Sequence, residues 1–251
     1  MLPARRLREK LQGSEPVVGV MITNHLWLEL IEIAQAAGLD YVIIDCEHFP
    51  HTPELMADAC RLGRLIEFPV LIRPPESNAT CVRTALDLGP CGLLLPMVES
   101  VAQMEDVQRG AWLPPRGERR PGGHGIRWVQ NYHYEDFKSD IEDDLLILPQ
   151  IESPAGLANA QKIAAHPLTT ALAIGPYDLA CRLGCAWQPD HPDLLAAISQ
   201  LRQTAAEAGK PFWMIGDGPK LLAEGQRFLC IGETSGILQA ALKAAVSRLK
   251  S

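Results

Sequence analysis

Short apolar runs alternate with amphipathic stretches along most of the chain. The runs cover residues 17–22, 41–45, 69–73, 92–98, 145–152, 171–175, 211–215 and 228–232. Between them, apolar positions recur at helical spacing over 26–37, 53–65, 79–88, 101–109, 154–165, 192–208 and 219–224, and a last such stretch spans 235–250. Residues 1–12 are basic and also helix-like. A run that is apolar throughout, rather than at every second position, reads as a parallel strand covered on both faces. Eight strand–helix units predict an α/β fold of the (β/α)8 TIM-barrel type, one domain over residues 1–251. An open, doubly wound sheet is the alternative. No Gly-x-Gly-x-x-Gly follows the first run, which argues against a dinucleotide-binding sheet.

Two stretches break the rhythm. Residues 112–140 carry Pro114-Pro115 and Gly122-Gly123 with little periodicity, and so long a connection in a compact domain is usually functional or mobile. Residues 185–192 form a shorter break.

Composition narrows the class. Hydrophobic residues make up 47% of the 251 and charged residues 21%, as in a globular protein in water. The net charge of -7 argues against a nucleic-acid partner. No apolar run approaches membrane-spanning length, and the basic N-terminal stretch lacks the apolar core of a signal peptide. The seven cysteines include no Cys-x-x-Cys pair, which points to reduced thiols and a cytoplasmic location.

The candidate chemistry gathers at the ends of the apolar runs. Glu152 and Asp178 each close one, and in a barrel such ends meet at a single mouth. Two carboxylates there can hold one hard divalent cation, with water and substrate oxygens completing its shell. Asp178 also sits where a helix can begin, so helix capping is the competing reading for it. His48 follows Asp45 and Glu47, and a histidine beside carboxylates suits a general base. Arg73 ends an apolar run and needs an anionic partner, either a substrate carboxylate or an internal salt bridge to Asp45 or Glu47. The basic, glycine-rich segment from Arg116 to Arg127 fits an anionic acceptor, a solvated loop or a subunit contact. Gly175-Pro176 offers exposed backbone to a ligand.

These residues fall in recognisable segments. Asp45-Cys46-Glu47-His48, Ile72-Arg73-Pro74, Leu86-Asp87-Leu88-Gly89, Pro114-Pro115-Arg116-Gly117-Glu118-Arg119, Gln150-Ile151-Glu152-Ser153-Pro154-Ala155-Gly156 and Gly175-Pro176-Tyr177-Asp178 resemble, in order, the HpcH/HpaI aldolase family of pyruvate aldolases. The resemblance spans roughly residues 15–185. It implies Glu152 and Asp178 as ligands of Mg2+ or Mn2+, with Co2+ as a further candidate. Arg73 would hold the ketone, and Gln150, Gly175, Pro176, Tyr177 and Asp178 would lie around the bound 2-oxo acid. His48 would move a proton with support from Asp45, Asp87 would help in positioning, and Arg119 would lie in a loop covering the site. It further implies a homohexamer, a dimer of trimers, with the C-terminal helix exchanged between subunits.

The expected reaction is reversible cleavage of a 4-hydroxy-2-oxo acid to pyruvate and an aldehyde. The same barrel also carries citrate-synthase-like and CoA-thioester enzymes, and a barrel that binds a small acid without turnover is a third reading. Three departures from the family pattern are together expected to narrow the pocket or alter the acceptor preference: Glu233-Thr234-Ser235 after Gly232, a shortened 216–225 segment, and a bulky Tyr177.

Overall fold

The computed structural model describes residues 1–129 and 133–250. The strands are β1 (Val17–Ile22), β2 (Tyr41–Asp45), β3 (Val70–Arg73), β4 (Gly92–Leu95), β5 (Leu146–Ile151), β6 (Leu172–Ile174), β7 (Phe212–Ile215) and β8 (Phe228–Glu233). All neighbouring pairs are parallel and β8 returns to β1, closing the barrel. The helices are α1 (Leu2–Leu11), α2 (Glu29–Ala36), α3 (Pro53–Leu65), α4 (Ala79–Asp87), α5 (Val101–Ala111), α6 (Tyr134–Phe137), α7 (Pro154–Ala164), α8 (Pro176–Arg182), α9 (Pro192–Glu207), α10 (Gly218–Ala223) and α11 (Thr234–Lys250). A 3-10 turn over His124–Trp128 and a π turn over Lys138–Glu142 complete them.

Local chemistry explains where helices start. Thr52, Asn78, Ser100 and Ser153 each accept a backbone N–H from the first turn of α3, α4, α5 and α7. Pro53 and Pro154 open two of these, where a missing N–H costs nothing.

The N-terminal end of the barrel is closed from within and from below. Tyr41 is wholly buried, its hydroxyl donating to Leu229 O at 2.6 Å and accepting from Trp213 Nε1 at 2.7 Å. Gly19 makes room for this ring, since a Cβ there would stand 2.5 Å from it. Helix α1 lies below, with Ala4 and Leu7 buried, Arg5 paired to Asp144 at 2.8 Å and Lys10 paired to Asp40 at 2.5 Å.

The long predicted loop folds against this same end. Its residues 130–132 lie outside the described ones. Arg119 donates to Asp87 at 3.0 Å, Trp128 Nε1 to Gly89 O at 3.2 Å, and Arg116 to Glu142 at 3.0 Å. A segment between a helix and the next strand must lie at the strands' N-terminal ends, so topology fixes this placement.

Helix α11 differs from the others in burying none of its residues. Leu238, Leu242, Val246 and Leu249 recur at spacings of three and four and are 46% to 88% exposed. Its first turn is capped by the Glu233 carboxylate, which accepts from Ser235 N–H at 2.8 Å and from Gly236 N–H. The unusual Glu233 thus serves as a helix cap.

Candidate active site

Four side chains gather at the C-terminal ends of β2, β3 and β5. Asp45 and Arg73 are register partners at the ends of adjacent strands. Arg73 presents Nε and one terminal nitrogen to the two Asp45 oxygens, at 2.8 and 2.7 Å, and its other terminal nitrogen to Glu47 at 2.9 Å. Asp45 and Arg73 are buried. Burial opposes the Asp45 charge, but the guanidinium overrides it and holds this carboxyl below the usual carboxylate range. Arg73 gains in turn: burial lowers its pKa, Asp45 raises it, and the net shift is upward. The internal salt bridge, one of the two readings of Arg73, is therefore present, with both acids as partners.

Glu152 stands one residue beyond β5 and is 2% exposed. Its Oε2 accepts the Met97 N–H at 2.8 Å, from a residue held at φ +52°, in the left-handed region. Its Oε1 lies where a Cβ on residue 175 would be, 2.0 Å away. Gly175 is therefore required by packing against Glu152, a different reason from the ligand approach expected of it. Burial, and then the charges of Glu47 and Asp178, push the Glu152 carboxyl up to about 8, against the pull of Met97 N–H and Arg73. Glu47 is likewise raised, first by burial.

Asp178 is not at a strand end. Strand β6 stops at Ile174, Gly175 caps α8, and Asp178 lies in the first turn of that helix. The sequence signal for α8 is Pro176 at its first position. Strand alternation puts Gln150 on the same face as Glu152, one layer deeper. It is 2% exposed and its Oε1 has no hydrogen-bond partner.

Four expected relationships are absent. Asp45 does not orient His48, because its oxygens are taken by Arg73 and the Glu47 N–H at 3.0 Å. The nearest carboxylate to His48 is Glu47, at 3.9 Å, and the His48 side chain is half exposed. Asp87 and Arg119 bind each other at the opposite end of the barrel, so neither reaches its own chain's mouth. Tyr177 does not narrow the mouth. It is 59% exposed and lines a separate apolar groove of about 480 Å3 with Pro176, Trp187 and Leu195.

The donor set decides what the mouth can hold. Asp45, Glu47, Glu152 and Asp178 outnumber Arg73 by four carboxyl groups to one guanidinium, and all their donor atoms are oxygens. Among the described residues no three His, Cys, Asp or Glu side chains form a complete metal cage. Glu152 and Asp178 lie near enough for the Asp178 charge to raise the Glu152 carboxyl, and their oxygens are the kind of donor that a hard cation such as Mg2+ takes, water and substrate completing its shell. The residues therefore fit a divalent metal.

A closed parallel barrel with acids and an arginine at its C-terminal mouth has the form of a TIM-barrel enzyme site. The family model for HpcH/HpaI aldolase/citrate lyase matches residues 25–240, and the chain belongs to that family. It is 30% identical to a hydroxypyruvate/pyruvate aldolase of Pseudomonas aeruginosa, over 99% of this chain and 94% of the relative. It is 31% identical to a 2-keto-3-deoxy-L-rhamnonate aldolase of Klebsiella pneumoniae, over 90% and 88%. The crystal structure of an HpcH/HpaI aldolase from Desulfitobacterium hafniense superposes with a TM-score of 0.89 at 27% identity, covering 98% of this chain and 96% of that one.

Proposed function

We propose that the chain is a divalent-metal-dependent aldolase that reversibly cleaves a 4-hydroxy-2-oxo acid to pyruvate and an aldehyde. The observation that carries this reading is Glu152: a buried carboxylate whose charge the protein alone leaves poorly compensated, beside Asp178. Mg2+ or Mn2+, with Co2+ as a further candidate, bound by Glu152 and Asp178 would supply that compensation and polarise a 2-oxo acid as a Lewis acid.

In cleavage the 4-hydroxyl proton leaves to a base and the C3–C4 bond breaks. Its electron pair passes into the C2–C3 bond as the enolate of pyruvate, and C4 becomes the aldehyde carbon. The enolate then takes a proton at C3. His48, close to Glu47 and open to solvent, takes the role of base, directly or through water. Arg73, immobilised by Asp45 and Glu47, presents positive charge where the enolate oxygen develops. Asp45 acts through Arg73 rather than through His48. The Gln150 amide meets the bound acid.

Asp87 and Arg119 enter this reading only from a second copy of the chain, whose N-terminal barrel face would cover the mouth. The exposed apolar stripe of α11 supports a homo-oligomer, a homohexamer in this reading. The seven unpaired cysteines support a cytoplasmic location. No helix among the described residues is long and apolar enough to cross a membrane.

The test is pyruvate release from 4-hydroxy-2-oxoheptanedioate and from sugar-derived 2-keto-3-deoxy acids, with Mg2+ or Mn2+ and with EDTA. Metal-dependent release that Glu152→Ala and Asp178→Ala abolish is expected. Release that survives both substitutions and EDTA would overturn the reading.

A further inference from the structure

A cavity of about 340 Å3 opens at the heads of β3 and β4. Its walls include Glu47, Glu76, Ser77, Asn78, Met97 and Gln103. Two of these tie it to the reaction centre: Glu47 is an ion-pair partner of Arg73, and Met97 donates its N–H to Glu152. The cavity is thus a continuation of the mouth.

Its polar walls are fixed in place. Asn78 caps α4 through Cys81 N–H at 2.9 Å and donates to Glu76 at 2.7 Å. Gln103 donates to Met97 O at 3.1 Å and accepts from Glu99 N–H at 2.9 Å. Ser77 donates to Pro96 O. These amides and hydroxyls keep lone pairs or N–H groups for a further partner.

The charge is one-sided. Glu47 and Glu76 form part of the wall, and among the described residues no Lys, Arg or His lines the cavity. The nearby cation, Arg73, already has three of its nitrogens committed to Asp45 and Glu47. A carboxylate entering here would meet two acids and no free cation of this chain, and the Arg119 of a covering second copy would arrive already paired to Asp87, whereas a hydroxylated chain would find donors and acceptors. Selection by such an unfavourable contact is a common source of specificity.

We propose that this cavity is the acceptor subsite, and that it selects aldehydes carrying uncharged hydroxyl-bearing carbons over aldehydes carrying a carboxylate. The proposal rests on the aldolase reading and refines it. The preferred substrate in cleavage is then a 2-keto-3-deoxy acid with a neutral polyol tail.

The experiment has two arms on the full-length, metal-loaded protein. Exchange of the pyruvate methyl protons in D2O, followed by NMR, involves the pyruvate half only and tests the aldolase reading. Cleavage of a neutral 2-keto-3-deoxy acid is then compared with cleavage of 4-hydroxy-2-oxoheptanedioate as a ratio of kcat/KM. The ratio is expected to favour the neutral substrate by about tenfold or more, and Glu76→Lys to reduce it by roughly tenfold. The ratio is read within each variant, so a general loss of folding or metal cancels. Exchange without a neutral preference, or a ratio that Glu76→Lys leaves unmoved, would overturn the subsite. Absence of exchange would sink the aldolase reading, and the subsite with it.

Discussion

Gly175 and Glu152 occupy adjoining halves of one space, so that a methyl group on residue 175 would stand 2.0 Å from the Glu152 carboxylate oxygen. The Gly175→Ala variant is expected to push Glu152 off its Met97 hydrogen bond. Calorimetric titration with Mn2+ should show affinity falling by about tenfold or more, the range seen when a ligand's supporting contacts are lost. Circular dichroism should show the barrel retained.

The Glu152 pKa has a stability consequence in EDTA. Its ordinary value is 4.5, and the folded protein raises it to about 8. Between those values the folded chain holds a proton that the unfolded chain has lost, so stability falls as pH rises from 4.5 towards 8. Thermal melts across this window should show that decline, and Glu152→Gln should flatten it. Added Mn2+ should reverse the slope, since the cation binds the ionised form.

Arg73 and Asp45 should behave as a unit. Arg73→Ala leaves Asp45 buried without its partner, a loss on the order of 3–5 kcal/mol. Arg73→Lys restores a charge without the two-pronged geometry, and should recover more stability in urea denaturation than activity.

The distance between Asp87 and its own chain's mouth leads to a mixing test. Co-expressed Asp87→Ala and Glu152→Ala chains, each inactive alone, should form mixed oligomers with partial activity. Mixed oligomers with no activity would mean that Asp87 has no role in a neighbour's site.

Substitutions Leu238→Asp and Leu242→Asp on α11 should reduce the assembly mass seen by light scattering, because neither side chain is buried within the chain. A mass unchanged by both would remove α11 from the interface.

The eight strands were legible because buried parallel strands are written as unbroken apolar runs, and each lies within a few residues of its predicted place. Pro53 and Pro154 marked helix starts for the same local reason. A helix start near Asp178 is legible in the sequence, and proline at the first position of α8 supports it, but the helix is too short for an apolar periodicity to mark its extent. The Arg73–Asp45 pairing stayed open because strand register is not written in either run alone. The position of Arg119 was recoverable: in the predicted order its loop follows a helix and precedes a strand, which places it at the end of the barrel away from the mouth. Tyr177 lines a groove apart from the mouth because the rotation of a short helix decides where its side chain points, which one residue of sequence does not fix.

Helix α11 also bears on how the molecule comes to rest. It contributes no buried side chain to its own barrel, so the barrel can close while this last segment is still searching. In the homo-oligomer proposed above its order would depend on encounter, and protein concentration would become a thermodynamic variable of the fold. On dilution the amides of 238–249 should be the first to exchange with solvent deuterium, well before those of β1–β8.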